Sequence, residues 1–431
     1  MSDAAPRLTT FAEELLRSPF PLRVRAWDGS ESGPPDGPVL VVRHRRALRR
    51  LLWRPGELGL ARAWVAGEID VDGDLYTALD RLSGFVWERQ RQRPSPRDPG
   101  VRSALRSLAA LGGPLPPPPP PAEEIRRRTG PLHTRRRDRQ AISHHYDVGN
   151  PFYEIVLGPS MVYSCAYWDD AGAPGGAVTL EKAQRAKLDL VCRKLGLTAD
   201  QRLLDVGCGW GSLAMHAAGE YGVRVTGVTL SREQAAYARK RIAEAGLTDR
   251  IEIRVQDYRD VRDGPFDAIS SIGMAEHVGA TRYLEYARRL HGLLKPGGRL
   301  LNHQIARRPE ENEAAYRVDE FIDRYVFPDG ELSPLGSTVS TLEQAGFEVR
   351  DVESIREHYA LTLRRWVANL EAGWARAVRL TSPGRARVWR LYMAASAVSF
   401  ERSRIGVNQV LAVKTPRGGA SGLPLRTRVW S

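Results

Sequence analysis

Through the second half of the chain, short apolar runs alternate between two periods. Residues Leu180–Leu195 repeat their apolar positions at helical spacing, and Arg202–Val206 is an apolar run of strand length. A glycine-rich turn then leads into a second helical stretch, Ser212–Tyr221. The series continues with a strand at 223–229, a helix at Arg232–Glu244, strands at Ile251–Val255 and Phe266–Ile272, a helix at 280–294 and a strand at 299–305. Beyond it come a short segment at 342–345, a strand at Glu348–Ser354, two long helical stretches at 359–376 and 385–403, and a closing strand at 410–414. Strands alternating with helices specify a parallel sheet covered on both faces, a doubly wound, Rossmann-like α/β fold.

The first 90 residues follow a different pattern. Residues 20–27 alternate like a strand, 38–42 read as another, and 47–53 are short and basic. Residues 59–66 are apolar at helical spacing, and 74–82 predict a further helix. This mixture predicts a small N-terminal α+β domain over 1–93. The composition then shifts. Residues 94–100 are polar, 101–111 could form a short helix, and six consecutive prolines fill 116–121. A proline run has no backbone donors and makes an extended spacer. Seven arginines follow between Glu123 and Gln140. Such an arm is either a solvated basic surface or a clamp on lipid phosphates, since guanidinium forks donate two parallel bonds to phosphate. The boundaries are therefore 1–93, a Pro- and Arg-rich linker at 94–140, and a main domain at 141–431.

Composition narrows the partners. There are 64 Lys plus Arg against 51 Asp plus Glu, a net charge of +13. That favours an acidic partner, although Arg-rich codon usage would give the same excess. The three cysteines form no C-x-x-C pair, so neither a disulfide framework nor a zinc site is expected. Met1–Thr10 lacks a signal-peptide pattern, and no apolar run reaches about 18 residues. The expected location is cytoplasmic, with any membrane contact peripheral.

Chemistry first appears at Asp205-Val-Gly-Cys-Gly-Trp-Gly211, between a strand and a helix. Glycines there allow a sharp turn and close approach of a ligand. The D-x-G-C-G-x-G pattern resembles that of class I S-adenosylmethionine methyltransferases. Backbone amides of the loop, around Gly207 and Gly209, would take the cofactor's methionine carboxylate, and Asp205 would lie near its ammonium. The next strand ends without the usual acid. Thr229 and Leu230 stand at its carboxyl end, and Gln234, one turn into the helix, can both donate and accept toward ribose hydroxyls. After the third strand, Asp257 could accept from the adenine amino group while Tyr258 stacks on the ring.

The residues so far, together with His145-Tyr-Asp-Val-Gly-Asn150, Tyr163-Ser-Cys-Ala-Tyr-Trp168, Gly273-Met-Ala-Glu-His-Val-Gly279, His303-Gln-Ile305 and the run from Tyr359 to Trp366, resemble the cyclopropane fatty acid synthase family from about 140 to 415. The N-terminal unit resembles the lipid- and membrane-associating domain of its phospholipid-modifying members. The resemblance implies a bicarbonate ion held by Cys165 (backbone), Glu276, His303, Ile305 (backbone) and Tyr359, with Tyr163 and Ser164 touching the cofactor. It also implies a homodimer, and an unsaturated phospholipid substrate in an anionic membrane at the inner face of the cell. An alkene is a poor nucleophile, so the sulfonium cofactor carries the hard step. The cation left behind must be kept from water, and Tyr167, Trp168 and Trp366 are candidates to face it.

The C-terminal stretch from Phe400 to Gln409 resembles the high-G+C bacterial branch. That branch implies a 10-methylene acyl product, the precursor of tuberculostearic acid, with a flavin-dependent reductase as partner. A cyclopropane product is the alternative. A nucleic acid methyltransferase is the distant one, because Met274-Ala-Glu-His277 occupies the slot where amino-directed enzymes carry N/D-P-P-Y/F. No nucleic acid partner is expected.

Overall fold

A computed structural model describes residues 3–16, 18–54, 56–88, 102, 106, 111, 115–125, 134, 135, 137, 138, 148–169, 178–313 and 316–426. The first three residues of the His145–Asn150 motif and five of the seven linker arginines lie outside these residues. So does most of the expected helix at 101–111. Backbone packing divides the chain into two compact units.

The first unit comprises Met1–Arg127, Asp319–Val326 and Trp374–Val398, so two segments from late in the chain join the N-terminal residues. Its sheet has the order β2-β1-β3-β4. Strand β1 (Arg23–Arg25) pairs antiparallel with β2 (Glu31–Ser32) and parallel with β3 (Val39–Val42). Strand β3 pairs antiparallel with β4 (Ile69–Asp72). The alternation at 20–27 shortens to β1, and the helix Ala4–Leu16, which the alternation does not signal, precedes it. Buried charge holds the late segments. Glu124 accepts from both Arg62 and Arg324 (2.6–2.8 Å), and Trp64 Nε1 donates to the Arg387 carbonyl at 3.0 Å.

The second unit carries the sheet expected from the alternating pattern. Strands β5 (Arg202–Val206), β6 (Arg224–Thr229), β7 (Ile251–Val255), β8 (Phe266–Ile272) and β9 (Leu294–Arg307) run parallel. A short β10 (Ser333–Pro334) pairs with the end of β9. Strand β11 (Glu348–Ser354) lies at the edge, and β12 (Ile405–Val413) runs antiparallel between it and β9. The order is β11-β12-β9-β8-β5-β6-β7, with two apolar cores on the sheet's two faces. It is the doubly wound, Rossmann-like sheet that the alternating pattern predicts.

Local chemistry sets the helix ends. Thr179 caps the helix Leu180–Leu195 by accepting from the Lys182 amide, and Gly196 closes it in the left-handed region. The stretch at 359–376 is two helices, Arg356–Ala372 and Trp374–Leu380. They break at Gly373, where a Cβ would lie 2.5 Å from Ile155 Cγ2.

Candidate active site

Strand β5 has β6 on one side and β8 on the other, so chain connections leave it in opposite directions. Ligands of open α/β sheets bind at such a switch point, beyond the carboxyl ends of the strands. A cleft opens there. Tyr163, Ser164, Asp205, Gly207, Gly209, Thr229, Leu230, Gln234, Asp257 and Tyr258 all line it. Lys187, Met274 and His277 line it too. Lys187 escaped the sequence reading because a lysine within an amphipathic helix is ordinarily a solvated one.

The glycine loop has two different reasons for glycine. Gly207 sits at φ +79°, and a Cβ there would come within 2.4 Å of Met274 Sδ. Gly209 sits at φ +53° with open space where its Cβ would stand. One expectation changes. The Gly207 and Cys208 amides both donate to the Val228 carbonyl, at 2.9 and 3.1 Å, so these two N–H groups hold the loop against β6 rather than waiting for a carboxylate.

The cleft's polar side chains are held from within the protein. Ser270 Oγ donates to Asp205 Oδ1 at 2.7 Å, yet burial still pushes the Asp205 carboxyl up to about 6. Thr229 Oγ1 donates to Gln234 Oε1 at 2.9 Å, which leaves the Gln234 amide NH₂ for a ligand. Burial works to raise the Asp257 carboxyl, but two bonds from the Arg259 guanidinium (2.6 and 2.8 Å) and one from its amide outweigh it and hold the group below its ordinary value. Tyr258 packs edge-on against Tyr286, 4.8 Å between ring centres.

The five residues assigned to the anion do not line this cleft; His303 and Ile305 lie on β9, and Glu276 is bonded to it. Glu276 lies in the one-turn helix Ala275–Val278 that follows β8. Its Oε1 accepts from the Ile305 amide at 2.7 Å, so the Ile305 N–H holds the glutamate rather than facing a ligand. Glu276 Oε2 is buried with no hydrogen-bond partner, and burial pushes the carboxyl up to about 7 against the pull of that amide. His303, on β9 and 2% exposed, has Nδ1 at 3.3 Å from Gln409 Nε2 on β12, while its Nε2 is buried without a partner. Burial, reinforced by the Lys187 and Lys194 cations, lowers His303 to about 3, so its ring is neutral at pH 7. Cys165 is fully buried, which drives its thiol well above the ordinary value and keeps it neutral.

Aromatic rings connect the two places. Trp366, fully buried, packs 5.3 Å from Tyr163 and 5.9 Å from Tyr359, which also lies 4.8 Å from Phe400. Trp366 Nε1 is also buried without a hydrogen-bond partner. Tyr167 and Trp168 serve differently. Tyr167 stacks on His358 and donates to Glu353, and Trp168 Nε1 bonds the His358 carbonyl and Thr362 Oγ1. In the linker, Arg135 pairs with Asp260 (3.0 Å) and Arg137 with Asp329 (2.5 Å), so these two guanidinium groups are already committed to carboxylates. Among the described residues no group of His, Cys, Asp or Glu could hold a metal.

The family model described as mycolic acid cyclopropane synthetase matches residues 133–410. The chain belongs to this family. A probable fatty acid methyltransferase of Mycobacterium tuberculosis is 45% identical over 414 residues, covering 94% of each chain. The cyclopropane-fatty-acyl-phospholipid synthase of Escherichia coli is 38% identical over 279 residues, covering 65% of this chain and 68% of its own. The tuberculostearic acid methyltransferase UfaA1 of M. tuberculosis is 34% identical over 410 residues, 92% of this chain and 90% of its own. Among solved structures, mycolic acid cyclopropane synthase CmaA1 complexed with SAH and CTAB superposes with a TM-score of 0.59 at 34% identity, over 64% of this chain and 98% of its own. As a member of the cyclopropane synthase family the protein is an S-adenosylmethionine-dependent methyltransferase.

Proposed function

We propose that this enzyme alkylates the cis double bond of an unsaturated phospholipid acyl chain, and that its product is the 10-methylene-branched chain. The observation that carries the reading is the set of buried, unpartnered atoms beside the cofactor cleft: Glu276 Oε2, His303 Nε2 and Trp366 Nε1. Buried polar atoms are nearly always satisfied, so each of these is an atom that a small polar ligand would complete. A bicarbonate ion fits this donor set, because a neutral His303 whose Nδ1 accepts from Gln409 carries its proton on Nε2 and can donate it. Glu276, raised to about 7, can also donate when protonated, and Tyr359 adds a hydroxyl. When bound, bicarbonate supplies a base for the proton released after alkylation. S-adenosylmethionine supplies an electrophilic methyl group.

The chain's own residues do the rest. Tyr163, Ser164, Asp205, Gly207, Gly209, Thr229, Leu230, Gln234, Asp257 and Tyr258 hold the cofactor. Trp366 and Tyr359 present aromatic faces toward positive charge developing on the substrate and help exclude water. Glu276, His303, Tyr359, Cys165 and Ile305 hold the base, Ile305 by fixing the glutamate. Similarity to UfaA1 across both units supports the methylene product, and a flavin-dependent reductase would then be the partner. Likeness to cyclopropane synthases supports ring closure as the second reading.

Residues 1–93 are the proposed lipid-associating domain, joined through the 94–140 linker to the catalytic 141–431 region, of which segments 319–326 and 374–398 pack with the N-terminal residues. The enzyme would act as a homodimer, peripheral to the cytoplasmic face of the membrane. Among the described residues no helix is long and apolar enough to cross a bilayer. Trp53 is 62% exposed and ends a helix whose first turn carries the exposed Arg46, with exposed Arg45 just before it, a pairing of aromatic anchor and basic residues suited to anionic lipid. The test is mass spectrometry of oleoyl phospholipid vesicles after incubation with enzyme and S-adenosylmethionine. A gain of one CH₂ is expected, with exocyclic =CH₂ rather than cyclopropyl proton signals. Unchanged acyl chains would end the proposal.

A further inference from the structure

The helix Leu180–Leu195 buries two lysines seven residues apart, and they differ in one respect. Lys194 is fully buried and has its counter-charges, Glu353 and Asp351. Lys187 is 1% exposed, lines the cofactor cleft, and makes one hydrogen bond, from Nζ to Ser164 Oγ at 2.9 Å. Among the described residues it forms no ion pair. A buried ammonium without a carboxylate is costly, and proteins seldom keep one unless a ligand completes it.

The cleft explains which ligand. Asp205 and Lys187 line it together as opposite charges not paired with each other, and Ser164 joins them. The loop amides that would ordinarily take an amino-acid carboxylate, those of Gly207 and Cys208, are occupied by the Val228 carbonyl. An α-amino acid carries an ammonium and a carboxylate on one carbon, which matches a cleft offering one acid and one base. We propose that Lys187, steadied by Ser164, is the binding residue for the α-carboxylate of the cofactor's methionine portion. Asp205 takes the ammonium.

This assignment rests on the cofactor reading above. Two anions share the required chemistry, the cofactor carboxylate and bicarbonate. The first is favoured because Lys187 lines the cofactor cleft, whereas Glu276 and His303 do not. Burial lowers Lys187 to about 8 and raises Asp205 to about 6, as expected of two charges still awaiting partners.

Calorimetry with S-adenosylhomocysteine, its decarboxylated analogue and bicarbonate tests the assignment on the full-length protein. Wild-type protein should bind S-adenosylhomocysteine roughly 10- to 100-fold more tightly than the decarboxylated analogue, the range for a charge-assisted bond. Lys187→Met should erase that preference by weakening only the carboxylate ligand, and leave the ligand-free protein as heat-stable as wild type or more so. Equal affinity of wild type for the two ligands would overturn the assignment and leave the cofactor reading standing. Failure of wild type to bind either ligand would remove the cofactor reading itself. A Lys187→Met protein that unfolds without ligand, or that changes only in bicarbonate affinity, would also overturn it, the first showing a role in the fold and the second the other anion.

Discussion

The cofactor cleft and the Glu276–His303 pair are both made of buried titratable groups, but on opposite terms. In the cleft, Ser270 holds Asp205, Thr229 holds Gln234 and Arg259 holds Asp257, so the groups stand in fixed positions before any ligand arrives. Around β9, Glu276 and His303 each satisfy one polar atom and leave the other bare. The first arrangement binds by preorganisation. The second is incomplete without a further polar species, and burial shifts both groups toward their neutral forms. The cleft's side chains are positioned by the protein alone and wait only for their ligand, whereas the base site's are not.

The contrast breaks most sharply at the base pair. Glu276→Gln and His303→Ala should each lower turnover by roughly 10²–10⁴-fold, the usual contribution of acid–base groups. Calorimetry should show S-adenosylhomocysteine affinity almost unchanged. Two variants that keep full activity would remove the distinction between the regions.

The glycine loop gives the reverse outcome. Gly209→Ala places a methyl in open cleft space and should weaken cofactor binding about tenfold or more. Gly207→Ala drives a methyl into Met274 at an unfavourable φ and should cost about 1–3 kcal/mol of stability, measured by denaturant unfolding. If both substitutions affect only affinity, the two glycines do not have separate tasks.

A smaller effect follows from pH. The Glu276 carboxyl lies near 7 in the folded protein and at 4.5 by default, so the folded state binds more protons between those values and loses stability as pH rises through them. Glu276→Gln removes this loss. The variant should melt above wild type at pH 8 without added bicarbonate, by on the order of 1–3 kcal/mol, and match it near pH 4. His303 acts in the opposite sense. Its folded value is depressed to about 3 from 6.5, so its contribution is present above 6.5 and disappears as acid takes the pH toward 3. An unchanged pH–stability curve in Glu276→Gln would show the carboxyl to be solvated.

The alternating periods from 180 onward were sufficient for the parallel strands and their helices, because a strand buried on both faces and an amphipathic helix each require a distinct local pattern. The cofactor loop was equally legible, since its glycines and Asp205 are contiguous. Other features had no local signal. Strand β12 starts at Ile405 and enters between β9 and β11, a position set by pairing with strands about 50 to 100 residues earlier. The segments 319–326 and 374–398 join the N-terminal unit through contacts such as Arg324 with Glu124, which no spacing announces. The occupied amides of Gly207 and Cys208, the Ile305 amide held by Glu276, and the burial of Lys187 belong to the same class. Residue type and period determine which elements form and which chemistry is present. Burial and pairing between distant residues determine which charges stay bare, because desolvation depends on everything packed around a group rather than on its neighbours in the chain.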